Sequence, residues 1–294
     1  MVQFDFQPND LHRLNRLMIV VRSARLDASS GGHRTTHAGE GIDFLDYRPY
    51  TPGDDFRKVD WTLYGRLRQL FVRLNETSRQ LAINIVIDCS KSMLFGTPLT
   101  KLHQAQLLAC GLGFIGLKNG DRVNLFTFAG GITKALGPMS GMRSMPSLVR
   151  FLHQAEGGGS SDLLETVRQL RARRQHKGLV VVLSDFLNVA HCEEALTGLL
   201  GGGSKVLAIQ VLDRLDRGIG LSGSLRLRDS ETGRQVDVSI DDVTRASYQR
   251  RFETRRLQLE EYCLKRQQHY LLAKTEDSYL ELICKALRSQ AVVQ

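Results

Sequence analysis

Four aliphatic segments, separated by helical ones, constrain the fold of this chain more than any other feature. They have the length and β-branched content of buried strands, and they are LAINIVID (81–88), DRVNLFTFAG (121–130), GLVVVLSD (178–185) and SKVLAIQVL (204–212). Helical spacing of apolar residues marks the segments between them, 100–120, 142–154, 161–175 and 191–203. Because strands alternate with helices, the sequence predicts an α/β fold with a mostly parallel sheet and helices on both faces.

The rest of the chain predicts smaller elements around this core. Pro49 and the Pro52-Gly53 pair break any long helix before the first strand, and a hairpin around Glu231-Thr232-Gly233 follows the fourth. Two helices, 242–268 and 276–289, end the chain. The predicted organisation is an N-terminal helix (1–28), a small β-rich appendage (29–80), the α/β domain (81–215), and a β-hairpin with C-terminal helices packed on the same unit (216–294).

Composition predicts a globular protein without disulfides. The 294 residues are 42% hydrophobic and 24% charged, and the five cysteines are scattered without a CxxC pair. The N-terminal apolar run Leu17–Val21 is too short for a signal peptide. Since no stretch approaches the ~20 apolar residues of a membrane span, we predict no membrane span and a cytoplasmic location.

The basic charge is concentrated in two stretches. The net charge is +9, and arginine is dense in 168–177 and 245–266. A basic surface can meet nucleic acid, anionic lipid or an acidic protein. Solvated helix faces are the preferred interpretation, and the scarcity of interleaved aromatic residues makes nucleic-acid binding a minor hypothesis.

Oxygen-bearing side chains gather where the predicted strands end. In open α/β sheets, ligands bind at the carboxyl ends of the strands. The candidates come from three such ends: Asp88, Ser90, Ser92, Ser160, Ser161, Asp162 and Asp185. An oxygen-only set suits a hard cation such as Mg²⁺, which keeps waters and takes part of its shell from a bound partner.

The spacing of the first three candidates supports a shared site. Residues at i, i+2 and i+4 of an extended or turning backbone can face the same side, so Asp88, Ser90 and Ser92 can converge. Cys89 then points away and is predicted to be a packed thiol. D-x-S-x-S alone is a weak signal, and its position directly after a buried strand strengthens it.

The pattern resembles the metal-ion-dependent adhesion site (MIDAS) of von Willebrand factor A domains. That site joins D-x-S-x-S to a threonine on a second loop and an aspartate on a third. The resemblance implies a von Willebrand factor A-like, Rossmann-type fold. It assigns the ligands of Mg²⁺, or of another hard divalent cation, to Asp88, Ser90, Ser92, Ser161 (a serine in the threonine position) and Asp185.

A longer resemblance covers roughly residues 33–290. GIDFLDYRPYTPGDDFRKVDW and RDSETGRQVDVSIDD resemble bacterial domain of unknown function family 58, a von Willebrand factor A-like family often encoded beside MoxR-type AAA+ ATPases. The block that carries it is Arg48, Tyr50, Gly53, Asp54, Arg57, Asp60 and Trp61. Many relatives have two N-terminal membrane helices, and this sequence resembles a soluble short form.

Together these features predict a non-enzymatic, metal-dependent protein-interaction module. The implied partner is a MoxR-type ATPase or its client, which docks a carboxylate on the metal during assembly or maturation of a complex. The serine hydroxyls would bind the cation directly, and the two aspartates largely through waters.

Two other functions stay open: a Mg²⁺-dependent hydrolase that uses the same oxygens, and nucleic-acid binding through the basic helices. No His or Lys other than Lys91 suggests itself as a base near the site. A haloacid-type phosphatase needs a second acid where Ser90 stands, and G-G-S-S-D at 158–162 lacks the closing glycine of a hydrolase elbow. The acidic block around Asp54 is predicted to be a turn held by carboxylates on backbone amides, with Arg57 pairing a carboxylate.

Overall fold

A computed structural model describes residues 44–75, 80–97, 99–173, 177–187, 191–200, 204–220, 222–229 and 233–288. The chain divides into two compact units, a small one over Arg25–Gln80 and a large one that holds Leu81–Gln294 together with Met1–Ala24. The predicted N-terminal helix lies outside the described residues.

The small unit is an antiparallel pair of strands with a helical connection. Strand β1 (Phe44–Pro49) pairs with β2 (Phe71–Asn75). A 3₁₀ turn (Phe56–Lys58) and helix α1 (Trp61–Leu67) lie between them. The sequence predicted the second strand but not the helix.

Aspartates hold the turns of the small unit, as predicted. Asp54 Oδ2 accepts from the Thr51 backbone N–H at 2.8 Å, and Asp54 Oδ1 accepts from Arg48 at 2.7 Å. These hydrogen bonds, that of Arg48 first, lower the pKa of Asp54 to about 2. Asp60 caps α1, and Arg57 pairs with Asp55. The acidic block is therefore structural.

The large unit is built on a six-stranded sheet that confirms the predicted α/β class. Its strands are β3 (Ala82–Asp88), β4 (Arg122–Phe128), β5 (Ile132–Met139), β6 (Leu179–Ser184), β7 (Lys205–Leu212) and β10 (His269–Lys274). They lie in the order β10-β7-β6-β3-β4-β5, and all neighbours are parallel except β4 and β5. The edge strand β10 is absent from the sequence prediction.

Helices cover both faces of this sheet. They are α2 (Lys101–Lys118), α3 (Met145–His153), α4 (Leu163–Ala172), α5 (Cys192–Leu199), α6 (Asp242–Lys265) and α7 (Tyr279–Arg288). Ile83, Ile85 and Ile87 point into a core with α2, α3 and α7. Val86 points to the opposite core, which α4, α5 and α6 complete, because side chains alternate along a strand.

Helix α6 follows a hairpin of β8 (Gly223–Arg228) and β9 (Gln235–Ile240), as predicted. Its buried side chains are Leu259, Tyr262 and Cys263, all in its last third. Most of its first two thirds is exposed. Among the residues that the structure describes, no helix combines the length and the apolar character needed to cross a membrane.

Candidate metal centre

The order of the strands brings the predicted site loops to one edge of the sheet. Strands β3 and β6 are parallel neighbours, and Ile87 is paired with Leu183. The next residues, Asp88 and Ser184, therefore leave the sheet side by side. Strand β7 continues the same edge, with Gln210 paired to Ser184.

Asp88 is the buried centre of the arrangement. Its side chain has no exposed surface. Its Oδ1 accepts from the Ser90 backbone N–H at 2.8 Å, and its Oδ2 accepts from the hydroxyls of Ser161 at 2.9 Å and Ser184 at 2.6 Å. Burial first, and then the negative charge of Asp185, raise the pKa of Asp88.

The serines of the first loop converge through a turn. Residues Lys91–Leu94 form a single 3₁₀ turn that follows Ser90. The Ser90 and Ser92 hydroxyl oxygens lie 3.1 Å apart, and Ser90 is fully buried. Cys89 packs into the core on the α2 face of the sheet, as predicted for a packed thiol, and burial raises its pKa to about 12.

The second loop is fastened to the first by backbone hydrogen bonds. Gly158 N–H donates to Cys89 O at 2.7 Å, and Lys91 N–H donates to Gly159 O at 3.0 Å. This pairing holds Ser161 against Asp88, whereas the neighbouring Ser160 is exposed. The geometry therefore favours Ser161 as the second-loop hydroxyl.

Asp185, the third predicted element, is held by a lysine that the sequence analysis missed. Lys101 Nζ donates to Asp185 Oδ2 at 2.7 Å and lies 3.1 Å from an oxygen of Asp216. The backbone carbonyl of Asp185 accepts from the Gln210 side-chain amide at 2.8 Å. The Lys101 side chain is 1% exposed, so this ion-pair cluster is part of the interior.

Lys101 stays charged in spite of its burial. Burial alone would lower its pKa, but the charges of Asp185 and Asp216 outweigh that cost and raise it. No local pattern marks this lysine, which lies 84 residues from Asp185 at the start of α2. Ser184 also escaped the prediction, although it stands beside Asp185 in the Leu-Ser-Asp motif at the end of β6.

The charges and hydroxyls of this cluster suit a divalent cation. Three carboxylates (Asp88, Asp185 and Asp216) and one ammonium leave two negative charges in excess when all are ionised. A serine hydroxyl that donates to Asp88 still has two lone pairs with which it can accept a hydrogen bond or bind a hard cation, and Ser184 Oγ uses one of them to accept from the Phe186 N–H at 3.1 Å. No group of three or more His, Cys, Asp or Glu side chains among the described residues is placed to hold a metal, so the serine hydroxyls would have to supply part of the shell.

A small cleft gives access to part of the cluster. It has a volume of about 120 Å³, and its lining includes Ser161, Ser184, Asp185, His191 and Cys192. Asp88 lies beneath the hydroxyls and does not line it. His191, which did not suggest itself in the sequence as a base near the site, lines the cleft because it lies at the start of α5, whose first residue Cys192 also lines it.

Comparison with known proteins identifies the family. The family model described as Protein of unknown function DUF58 matches residues 46–258. The chain belongs to the DUF58 family. This confirms the resemblance seen in the sequence. Uncharacterized proteins of Mycobacterium tuberculosis and Mycobacterium bovis are each 29% identical to it over 241 residues, which cover 81% of this chain and 76% of theirs.

Among solved structures, the DUF58 chain is similar to BatB from Bacteroides thetaiotaomicron, with 16% identity and a TM-score of 0.43 over 72% of this chain and 98% of that one. A von Willebrand factor type A protein from Catenulispora acidiphila gives 15% identity and a TM-score of 0.37 over 63% and 43%. These likenesses concern the fold alone. The observed sheet, mostly parallel and with helices on both faces, agrees with the predicted Rossmann-type α/β class.

The predicted cytoplasmic location is contradicted. An aerotolerance-related membrane protein from Bacteroides fragilis matches with 16% identity and a TM-score of 0.40 over 71% of this chain and 98% of that one. A membrane spanning protein from Vibrio fischeri matches with 15% identity and a TM-score of 0.26 over 72% and 98%. Those names describe those proteins. The prediction rested on the lack of a long apolar segment, which does not determine where a protein resides, and we withdraw it.

Proposed function

We propose that this DUF58 protein is a non-enzymatic interaction module that captures a partner carboxylate through a divalent cation, Mg²⁺ in the cell. The observation that carries the proposal is the fully buried Asp88 carboxylate beneath two serine hydroxyls, inside a cluster with excess negative charge. Asp88, Ser90, Ser92, Ser161 and Asp185 are the proposed ligands, with Ser184 added to the predicted set.

Each residue has a defined part in this proposal. The hydroxyls of Ser161 and Ser184 are oriented by Asp88, so their oxygens are pre-positioned for a hard cation. Lys101 fixes the Asp185 side chain and reduces the negative charge of the cluster. A cation bound there supplies a Lewis-acidic centre for an incoming carboxylate, and the cleft beside Ser161 is the route of approach.

The proposed partner is a MoxR-type AAA+ ATPase or a client of such an ATPase, in assembly or maturation of a protein complex. Support comes from membership of the DUF58 family and from the genomic association that the family resemblance implies.

The immobilised protein, with Mg²⁺ or with EDTA, tests the proposal against a purified MoxR-type ATPase from the same organism. The wild type should retain the ATPase only with Mg²⁺. Asp88→Asn should lose most of that retention because the variant removes the carboxylate behind the hydroxyls. Ser160→Ala is the matched control, since Ser160 is an exposed neighbour of Ser161, and it should behave as the wild type.

The metal-dependent function would be refuted if the wild type retained as much ATPase with EDTA as with Mg²⁺. It would also be refuted if Asp88→Asn retained as much as the wild type. Circular dichroism and thermal melting of Asp88→Asn show whether the variant is folded. If Asp88→Asn is folded and binds the ATPase as tightly as the wild type does, the cluster does not have the proposed role.

One observation keeps a hydrolase as a second candidate. His191 lines the same cleft, and its Nδ1 lies 3.8 Å from Glu194. A His-carboxylate pair can act as a general base. However, no hydrogen bond among the described residues joins His191 to Ser161 or Ser184, so a nucleophile with its base is not assembled.

A panel of phosphoesters and acyl esters with Mg²⁺ distinguishes the two functions. The interaction module should show no turnover above that of Asp88→Asn. Turnover by the wild type that disappears in both Asp88→Asn and His191→Ala would establish the hydrolase instead.

A further inference from the structure

A groove with exposed arginines runs beside the candidate metal centre. It has a volume of about 840 Å³ and lies between helix α6 and the loop that follows β6. Phe186, Leu187 and Cys192 line both this groove and the small cleft at Ser161. The two cavities are therefore neighbours, and a ligand in the groove lies next to the cluster around Asp88.

Three arginines on the α6 side of the groove lack a carboxylate partner within the part of the chain that the structure describes. Arg250, Arg251 and Arg255 are exposed, and none of them is in an ion pair among the described residues. Arg256 differs, because its guanidinium is held by Glu253 at 2.7 Å and by Glu260 at 2.8 Å. The groove thus carries positive charge that the rest of the described chain does not neutralise.

The arrangement along α6 favours an external anionic ligand. Arg251 and Arg255 are four residues apart, so they project from consecutive turns of one helix face, where like charges repel. Glu193, across the groove, is the acidic side chain in its lining. A ligand with several carboxylates would relieve the repulsion and form charge-assisted hydrogen bonds with the guanidinium groups.

The lining also contains apolar side chains. Phe186, Leu187, Phe252 and Leu259 contribute to the groove, and Leu259 belongs to the core that covers this face of the sheet. Apolar side chains flanked by arginines suit a protein segment that carries both acidic and apolar residues. Nucleic acid, by contrast, would pair its phosphates with the arginines but leave these apolar side chains without partners.

Hydrogen bonds connect the groove to the candidate metal centre at two points. Gln210 lines the groove and donates to the Asp185 carbonyl. Tyr248, also in the lining, donates to the Asp216 carbonyl at 2.7 Å, and the Asp216 carboxylate pairs with Lys101. Residues that contact a ligand in the groove therefore also position groups of the cluster.

We infer that this groove binds an acidic segment of the partner protein, with Arg250, Arg251 and Arg255 as its electrostatic anchors. The inference rests on the proposed function in one respect, that a carboxylate of the same segment reaches the cation. Recognition by the arginines does not require the cation. The expected partner segment has several Asp or Glu residues interspersed with apolar ones.

Fluorescence anisotropy of the full-length protein with a labelled peptide of about a dozen residues, alternating Glu with Leu or Phe, tests the inference. The double variant Arg251→Glu/Arg255→Glu should weaken binding about tenfold or more, which corresponds to about 1.4 kcal/mol. Arg143→Glu/Arg171→Glu makes the same change in net charge at exposed arginines outside the groove, and it should bind within about twofold of the wild type.

Three results would overturn the inference. They are equal binding by the two double variants, equal binding of a peptide with Gln in place of Glu, and tighter binding of single-stranded or duplex DNA or of phosphatidylserine vesicles through the same arginines. A folded groove variant, checked by circular dichroism, is required for each comparison.

Magnesium separates this inference from the proposed function. If the groove variant weakens binding but Mg²⁺ and Asp88→Asn have no effect, the groove is confirmed and the metal-dependent function fails. The opposite result is that the wild type and the groove variant bind the peptide with equal affinity and that Mg²⁺ strengthens binding equally in both. In that case the inference about the groove fails and the metal-dependent function stands.

Discussion

Asp88 carries an electrostatic cost that a bound cation would remove. Its carboxylate is buried close to Asp185, and both effects raise its pKa. A raised pKa in the folded state means that the ionised form is disfavoured, so stability is lost as the pH rises from the ordinary value of 3.8 through the raised one. Once the pH exceeds that raised pKa, the protein without a divalent cation bears this cost in full.

Removing that charge should therefore stabilise the cation-free protein. We expect Asp88→Asn to raise the free energy of unfolding in EDTA at a pH above that raised pKa. The amide oxygen can still accept from the serine hydroxyls, but the amide nitrogen cannot accept from the Ser90 N–H, so the expected gain is that of the removed charge less this one hydrogen bond. Urea denaturation measures the change, and added Mg²⁺ should stabilise the wild type but not the variant. A destabilised Asp88→Asn would show that the charge is already compensated within the fold.

The same shift predicts how cation affinity depends on pH. A cation must displace the proton from Asp88, so the affinity for Mn²⁺ should fall as the pH is lowered through the raised pKa, at values above the 3.8 of an ordinary aspartate. Calorimetric titration at a series of pH values checks this. If the affinity for Mn²⁺ stayed constant down to the pH range in which an exposed carboxylate is protonated, the assignment of Asp88 to the cation site would be contradicted.

Lys101 is predicted to be essential for stability. Lys101→Met keeps the aliphatic stem but leaves Asp185 and Asp216 without their buried counter-ion, which should cost about 3–5 kcal/mol. Lys265→Met, which removes only an exposed pair with Glu261, should cost less than about 1 kcal/mol. Equal denaturation midpoints for the two variants would contradict the role of Lys101.

At the scale of elements, the start of β6 is fixed by a glycine. Gly178 has a φ of +89°, and a Cβ atom there would lie 2.3 Å from the Ala82 carbonyl oxygen at the start of β3. We expect Gly178→Ala to cost about 3 kcal/mol or more, because neither backbone can move without disturbing the pairing of the two strands.

Gly120 offers a matched control for this prediction. It ends α2 with a φ of +77°, and a Cβ atom added there would have no neighbour within 4 Å. Gly120→Ala should therefore cost only the backbone term of about 1–2 kcal/mol. If urea denaturation shows the same loss of stability for both alanine variants, the close approach of β3 and β6 is not the reason that residue 178 is a glycine.

Strand β10 shows why one element escaped the sequence. In the sequence, the strand His269–Lys274 follows the 24-residue helix α6 after a short turn, and helix α7 begins a few residues later. Only Tyr270 and Ala273 of the six residues are buried, a spacing that also fits a helix. Its place is set by parallel pairing with β7, an interaction that no local pattern reveals.

At the scale of the whole molecule, the sequence predicted what depends on local composition. The strands β3, β4, β6 and β7 are apolar runs that composition identifies. The sheet order that places Asp88 beside Ser184 was not predicted and is seen only in the structure. Ser161 was assigned as a ligand by resemblance to a family pattern.

What the sequence did not predict depends on contacts between distant residues. Lys101 pairs with Asp185 across 84 positions, and His191 reaches the cleft because α5 begins beside the end of β6. The groove of arginines forms only where α6 lies against the loop after β6. In the sequence, these arginines could not be distinguished from a solvated helix face.

The central claim, a divalent cation on the serine hydroxyls over Asp88, is tested most directly by anomalous scattering from crystals grown with Mn²⁺. We predict one strong peak beside Asp88, in contact with serine hydroxyl oxygens, that is absent from crystals of Asp88→Asn. Crystals of the wild type with saturating Mn²⁺ and no peak at this position would contradict the claim.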